Sequence, residues 1–479
     1  MSISSSLNFA AAGLGATAQR AENVARNVAN ADHPGYARRA SAVVGTGVGA
    51  PGASLQILRE VDPRLVQLRR EAQSQEAGAS VAQAFQARLD AEIGDPDAAG
   101  SLQDRLAKLD AAFVAAASNP SSAAGLANVS RAAAGVAEKL NALDTVVQSS
   151  RQKAETDIAK TVEQLNADLE GVQRLNRDIV RLGDGGGQDK ADLLDQRSLL
   201  IDRISQQIPV RELTRDRGAV ALVSEGGMLL LDTSPAKLEF DARAPISADM
   251  TVGNGLYGLE MNGEPVRGDL FKGGRLDALF AIRDETAPLA TERLDSLAGE
   301  LIGRFGDAAV DPSLAAGEPG LFTDDGAVLN PTTSAGLAGR IEVNALVAPD
   351  RTDQHWRLRD GLGTAAIQGT GAETGLLLAY GSALADHARP LGAGLPDVAA
   401  DMVGHTSALR SLISADRLQA DNRLGTASTL ATSRAEQRDG GAVDVDAEMR
   451  RLIEIEQAYA ANARVIQAAG AMIDRLMEL

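Results

Sequence analysis

Both ends of this chain carry apolar side chains at seven-residue intervals. The C-terminal tracks are Val445, Leu452, Tyr459, Ile466 and Ile473, and, three residues further on, Ile455, Asn462, Ala469 and Leu476. The N-terminal tracks are Leu7, Leu14, Ala21 and Val28, and Ala10, Thr17, Val24 and Ala31. Two such tracks are the a and d positions of a coiled coil, the stripe that one helix presents to another.

Neither terminal helix can bury its stripe alone, so we expect the two helices to pair and to bring the ends of the chain together. Two amphipathic helices packed on separate cores are the alternative. The candidate assembly seam comprises Leu7, Leu14, Ala21, Val28, Leu452, Ile455, Tyr459, Asn462, Ile466, Ile473 and Leu476.

Composition favours a helical protein of several domains. A chain of 479 residues is too long for one core. Aromatic residues make up only 3%, so Ala and Leu must supply most of the packing, as in long helices with closely spaced axes. The net charge of −18 argues against nucleic acid and anionic membranes as partners. The chain has no cysteine, which excludes disulfides and thiolate chemistry.

The order of elements predicts a nested architecture, mainly α with an inserted β-containing region (α+β, multidomain). Residues 1–45 and 440–479 are expected to form an inner helical domain, with a hinge at Gly440-Gly441. Residues 46–305 and 371–439 are expected to form a helical bundle with a β-hairpin region at about 208–271. Residues 306–370 are expected to form a small outer domain rich in loops, which tolerates change better than the helices.

Local patterns predict individual elements. Helical character is expected over 55–93, and the longest periodic stretch runs from Ser121 to Leu182. Val220–Val223 and Met228–Leu231 flank Ser224–Gly227, which indicates a hairpin. Further strands are expected around Tyr36–Val44 and Arg340–Val343.

No pattern points to an active site. The four histidines lack zinc-ligand spacing, and the glycine-rich stretch 184–190 lacks the Gly-Lys-Ser/Thr end of a phosphate loop. Ser150 and Lys153 have Ser-x-x-Lys spacing, but partner motifs are missing. We expect no enzymatic activity, no cofactor and no bound metal. No signal peptide or membrane-spanning stretch is expected either.

Several segments resemble bacterial flagellar axial proteins, the family of rod, hook and hook-associated proteins. At the N-terminus these are Ser5–Leu14, Asn27-Val28-Ala29-Asn30 and Pro34-Gly35-Tyr36-Ala37-Arg38; at the C-terminus, Val443–Glu448 and Gln457–Gln467. Two internal segments, Ala191–Leu200 with its Asp-Leu-Leu-Asp-Gln-Arg core and Gly273–Asp284, resemble the hook-associated protein 1 family. The resemblance is weak over 306–395. Arg26 stands where the family often has Asn.

The resemblance implies a structural role at the junction between the flagellar hook and filament. It implies secretion by the flagellar type III export route, a cytoplasmic export chaperone at the C-terminal helix, and an extracellular location in the flagellum. The implied partners are further copies of the chain, the hook protein and the second junction protein. Another axial protein, a coiled-coil scaffold outside the flagellum and a phage tail component are the alternatives. The terminal helices are expected to be flexible in the free monomer and to pair on assembly.

Overall fold

A long helical body and a separate pair of terminal helices make up the computed structural model. It describes residues 3–33, 35–44, 54–183, 187–330, 332, 334–367, 371–387, 391–392, 394–396, 398–439 and 443–477. Its α-helices are α1 (Ile3–Ala29), α2 (Pro63–Ile93), α3 (Leu102–Ser118), α4 (Ala123–Leu182), α5 (Gly187–Gln207), α6 (Gly274–Ala281), α7 (Ala287–Phe305), α8 (Arg357–Asp360), α9 (Gly375–Ala385), α10 (Met402–Asp439) and α11 (Val445–Met477). This confirms a mainly α fold. The predicted Gly440-Gly441 hinge lies outside the described residues.

The 60-residue helix α4 is the axis of the body. At about 1.5 Å per residue it is about 90 Å long. The Ser122 hydroxyl accepts a hydrogen bond from the Gly125 amide and caps its start, and Gly183 ends it with a positive φ of 61°. Its apolar stripe is fully buried against α3, α5, α7 and the small sheets. The long helix predicted from Ser121 to Leu182 is therefore confirmed.

The segment before α2 differs from the prediction. We expected helix over 55–93, but residues 54–59 form a strand that pairs antiparallel with residues 39–44. The helix begins only at Pro63, where the Asp62 carboxylate accepts a hydrogen bond from the Arg64 amide at 2.8 Å. Proline at the first helical position and an Asp cap form a strong start signal, which outweighs the apolar spacing upstream.

Within the described residues, twelve short strands form five small sheets. The strands are β1 (Arg39–Val44), β2 (Ser54–Arg59), β3 (Val210–Thr214), β4 (Val220–Ser224), β5 (Leu229–Leu231), β6 (Leu238–Glu239), β7 (Thr251–Val252), β8 (Gly255–Leu256), β9 (Glu260–Met261), β10 (Glu264–Pro265), β11 (Phe322–Asp324) and β12 (Ile341–Val343). The sheet orders are β1-β2, β3-β4-β5, β10-β9-β6, β7-β8 and β11-β12, and all pairs except β7-β8 are antiparallel. The predicted hairpin is confirmed as β4-β5, and the predicted strands near residues 40 and 341 are β1 and β12.

A π-helical turn, Ile282–Thr286, joins α6 to α7. It turns Arg283 into the body, where the guanidinium contacts the Glu155 carboxylate of α4 at 2.7 Å, and both side chains are 0% exposed. Burial disfavours the charge of Arg283, but hydrogen bonds to Asp284 and Glu155 raise the pKa of the guanidinium above its usual value. The Arg-Asp pair that ends the 273–284 segment thus has a packing role.

The segment after α7 shares the core of the helical body. Phe322 of β11 packs edge-on against Phe305 of α7, and Phe305 also contacts Phe113 of α3 and Tyr380 of α9. Further along, buried apolar side chains of 337–362 belong to the same cluster. The division of the chain into three domains, with 306–370 outermost, stays a prediction.

Candidate assembly interface

The terminal helices α1 and α11 pack against each other in antiparallel orientation. Gly13 of α1 lies against the side chain of Asn462, where a Cβ atom would come within 2.8 Å of the amide nitrogen. Fourteen residues further along α1, Asn27 contacts Glu448, which lies fourteen residues before Asn462. The helix ends carrying the two chain termini therefore lie at the same end of the pair. The predicted pairing of the terminal helices is confirmed as part of the fold.

On α1 the two heptad tracks differ in burial. Ala10, Thr17 and Val24 are buried, whereas the seam candidates of the other track, Leu7, Leu14, Ala21 and Val28, are only half-buried. The buried track consists mostly of small side chains, which lets the two helix axes approach closely.

On α11 the candidates fall into two groups. The half-buried group contains Leu452, Ile455, Asn462 and Ile466. Tyr459 and Ile473 are 50% and 37% exposed, although they lie on the same track as Leu452 and Ile466. The side chain of Leu476 lies outside the described residues. The role of all eleven candidates in assembly stays a prediction.

Helix α11 carries large apolar side chains in contact with solvent. Besides the two already named, the exposed residues are Val445, Met449, Ile453, Val465, Met472 and Met477. Phe9 of α1 is 66% exposed near the same end. Apolar side chains that recur along one helix and remain exposed are typical of an interaction surface. The pair therefore buries only part of its apolar surface within one chain.

A buried polar cluster joins α1, α11 and the segment between α1 and β1. The amide nitrogen of Asn27 donates to the Arg39 carbonyl at 3.0 Å and to the Glu448 carboxylate at 3.1 Å. Its amide oxygen accepts from the Arg39 backbone N–H at 3.0 Å and from the Tyr36 hydroxyl at 2.9 Å. Asn27 is thus fully buried with both ends of its amide satisfied.

Glu448 is the acidic member of this cluster and is 1% exposed. It accepts a hydrogen bond from Nε of Arg38 at 2.8 Å and also contacts Arg451. Arg38 pairs with Glu60 as well. Burial disfavours the charge of Arg38, but its hydrogen bonds to Glu60 and Glu448 raise its pKa. The carboxylate therefore has two cationic partners, Arg38 just before β1 and Arg451 of α11, as a buried charge requires.

A second cluster attaches the helix pair to the body. Arg39, which is buried, contacts Gln188, Asp192 and Asp195 of α5 and stacks on the Tyr36 ring at 4.9 Å. Burial disfavours its charge, but the hydrogen bond to Asp192 and the neighbouring charges raise its pKa. Arg59 of β2 donates to Asp195 at 2.6 Å. The acidic residues of the Asp-Leu-Leu-Asp-Gln-Arg segment thus hold the β1-β2 hairpin.

Asn23 extends this attachment to α1. Its amide nitrogen donates to the Ser41 hydroxyl at 2.6 Å, and its amide oxygen accepts from Gln188. Asn23 and Asn27 are four residues apart and lie on the same face of α1. One face of α1 is therefore bonded both to α5 and to α11.

Sequence reasoning did not predict these polar contacts. One signal was present: Glu448 occupies the first position of the track that continues with Ile455, Asn462 and Ala469. A charged residue on an otherwise apolar track indicates a buried polar partner on the facing helix. The identity of that partner, 421 residues away, could not be obtained from local spacing.

The described residues offer little for catalysis. The Ser150 hydroxyl donates to the Val146 carbonyl at 2.7 Å, and Lys153 pairs with Asp157. Within the described ranges, no group of three His, Cys, Asp or Glu side chains is placed to hold a metal ion. None of the helices, searched over the same ranges, combines the length and apolar character needed to span a membrane.

Comparison with protein families adds to this geometry. Residues 87–320 match the model described as "Flagellar hook-associated protein FlgK helical domain". Residues 440–479 match the "Flagellar basal body rod FlgEFG protein C-terminal" model. The chain is therefore similar to flagellar hook-associated and rod proteins over these two segments. The first match runs from the end of α2 to just before β11, and the second contains α11.

Individual proteins are similar to parts of this chain. Flagellar hook-associated protein 1 of Salmonella typhimurium is 26% identical over 322 residues, covering 64% of this chain and 56% of that protein. The Escherichia coli K12 protein of the same name is 26% identical over 262 residues, covering 52% and 46%. The chain thus spans about half the length of the curated relatives it matches. The flagellar hook junction protein FlgK of Burkholderia pseudomallei is 20% identical over 54% of this chain and 46% of that structure, with a TM-score of 0.44.

Proposed function

We propose that this chain is a structural subunit of the bacterial flagellum that polymerises at the distal end of the hook and forms the junction with the filament. The observation that carries the proposal is the state of α11. This helix lies in the segment that matches the rod-protein C-terminal family, pairs with α1, and keeps apolar side chains such as Tyr459 and Ile473 exposed. A surface of this kind gains stability when neighbouring subunits cover it.

The proposed partners follow from this role. They are other copies of the chain, the hook protein below, the second junction protein above, and a cytoplasmic chaperone that holds α11 before export. The proposed route is flagellar type III export, and the proposed location is extracellular. The chain acts as a structural component without enzymatic activity.

Co-sedimentation with isolated hooks tests the proposal. The parent protein is expected to pellet with hooks from the source bacterium and to remain in solution without them. Ile466→Asp places a charge in the half-buried seam and should abolish pelleting. Gln467→Asp introduces the same side chain one residue away at an exposed position, and it should pellet like the parent.

Thermal unfolding is the control measurement. The main transition of Ile466→Asp should stay within about 0.5 kcal/mol of the parent, because the body does not depend on the seam. Failure of the parent to pellet with hooks would reject the proposal. Loss of the main transition in Ile466→Asp would show that the seam belongs to the folded body.

A further inference from the structure

The apolar seam between α1 and α11 does not define its own register. Each helix repeats small and aliphatic side chains every seven residues, so a shift of α11 by one heptad still places apolar tracks against apolar tracks. Ala10 and Ala469 are buried in these helices, and such small side chains discriminate weakly between neighbouring positions. Something other than the apolar pattern must select one alignment.

Two polar contacts distinguish the observed alignment from shifted ones. Asn27 contacts Glu448 at 3.1 Å, and Asn462 fits against Gly13, where only glycine leaves it room. Thr17 is also polar and buried in the seam, but its hydroxyl donates to carbonyls of its own helix at 3.0 and 2.9 Å. Thr17 is therefore indifferent to the position of α11.

The Asn27 contact is the more demanding of the two because both partners are desolvated. Glu448 is 1% exposed and Asn27 is 0% exposed. A one-heptad shift in one direction places Ile455 opposite Asn27, so the amide loses its carboxylate acceptor. The same shift takes Glu448 away from Arg38. The buried Asn27 amide then has one N–H without its acceptor, and Glu448 loses Arg38 while keeping Arg451 of its own helix, which costs more than a displaced alanine.

We propose that Asn27 and Glu448 form a clasp that fixes the antiparallel register of α1 on α11. By fixing this register, the clasp determines which apolar side chains of α11 are covered by α1 and which stay exposed. The second statement rests on the proposed function, since those exposed side chains are the surface offered to neighbouring subunits. Asn27 and Glu448 are positioning residues, because they act through the alignment of the helices.

Cysteine cross-linking measures the register directly, since the chain has no cysteine of its own. The pair Gly13→Cys with Asn462→Cys reports the observed register. Gly13→Cys with Ile455→Cys, and Gly13→Cys with Ala469→Cys, report shifts of one heptad in the two directions; both carry Asn462→Ala, so that the cysteine at position 13 does not clash with Asn462 in the observed register. Oxidation at low protein concentration, followed by a gel of the monomer, gives the rate of each intramolecular disulfide.

The parent background should form the 13–462 disulfide at least roughly tenfold faster than either shifted pair, as a buried polar contact that specifies register implies. In an Asn27→Leu, Glu448→Leu background the shifted pairs should accelerate until they approach the rate of the 13–462 pair. Asn8→Leu makes the same substitution at an exposed position of α1 and should keep the parent pattern. Glu448→Gln keeps the shape of the side chain and should give an intermediate pattern. It replaces the double variant if that variant folds poorly.

Three outcomes would overturn the clasp. The first is that the Asn27→Leu, Glu448→Leu background keeps the parent pattern of cross-linking rates. The second is that the double variant is unfolded and Glu448→Gln keeps the parent pattern. The third is that the parent background cross-links a shifted pair as fast as the 13–462 pair. Hook co-sedimentation of the uncross-linked parent is scored separately. Failure there rejects the proposed function and leaves the register measurement intact, whereas an unchanged register pattern rejects the clasp while hook binding can persist.

Discussion

The body around α4 and the pair of α1 and α11 are both helical, but they are packed differently. In the body, large side chains such as Leu165 and Phe305 are 0% exposed and aromatic rings contact one another across four elements. In the pair, the leucines of α1 are half-buried, and Gly13 lies against the Asn462 side chain. The body buries its apolar surface within one chain, and the pair leaves much of its own exposed.

This difference indicates two levels of stability in one molecule. Hydrophobic stabilisation grows by about 25 cal/mol for each Å² of apolar surface removed from water. The body buries one large cluster of apolar side chains, so it is expected to unfold as the main cooperative unit. The exposed apolar side chains of the pair become buried only when neighbouring molecules cover them. The stability of the pair is therefore expected to depend on assembly.

The largest expected effect tests whether residues 306–370 belong to the body. Phe322 is fully buried against Phe305, so Phe322→Ala should lower the free energy of unfolding of the main transition by about 3–5 kcal/mol. Val328→Ala, at an exposed position of the same segment, should change it by less than about 0.5 kcal/mol. Chemical denaturation followed by circular dichroism gives both values. If Phe322→Ala leaves the main transition unchanged, residues 306–370 are the separate outer domain that the sequence suggested.

A matched pair of leucines compares the two regions directly. Leu165→Ala in α4 removes a fully buried side chain and should cost the main transition about 2–5 kcal/mol. Leu14→Ala in α1 makes the same chemical change in the half-buried seam, and the main transition should move by less than about 0.5 kcal/mol. The same denaturation experiment measures both. Equal losses would mean that the pair and the body unfold together.

The smallest expected effect concerns pH and belongs to the body. Burial raises the pKa of the Asp295 carboxyl to about 6, although the Gly336 and Ala338 amides donate to it. The folded-state pKa lies above the unfolded value of 3.8, so the folded state binds the proton more tightly. This carboxyl therefore adds stability as pH falls from 7 through 6, by about 1 kcal/mol at pH 5.

The Asp295→Asn variant isolates this contribution. As pH falls from 7 to 5, the free energy of unfolding of the parent should rise by about 1 kcal/mol relative to that of Asp295→Asn. Glu292→Gln, at an exposed position one turn earlier, should follow the parent over the same range. A parent–variant difference that does not change with pH would show that Asp295 titrates in the normal range.

The sequence was informative where one local pattern decides the structure. Apolar spacing predicted α4 and the terminal helices, and Gly226-Gly227 between two apolar runs predicted the β4-β5 hairpin. It was misleading at 54–59, because the apolar pattern of strand β2 continues into α2 across the helix start at Asp62-Pro63. The heptad tracks located the interface, but the polar contacts of Asn27, Arg39 and Glu448 could not be predicted, because their partners are brought together only by the complete fold.

The contact between Asn27 and Glu448 also has a consequence for the order of folding. It closes a loop of 421 residues, so in an unfolded chain the loop entropy opposes it more than it opposes any local contact. Once the body is folded and Gln188 is bonded to Asn23, α1 and α11 are both attached to the body. The two helices then need only a short conformational search to find each other. A nascent chain that lacks residues 445–477 cannot make this contact at all. The pair is therefore expected to form last, once residues 445–477 have been synthesised and the body has folded.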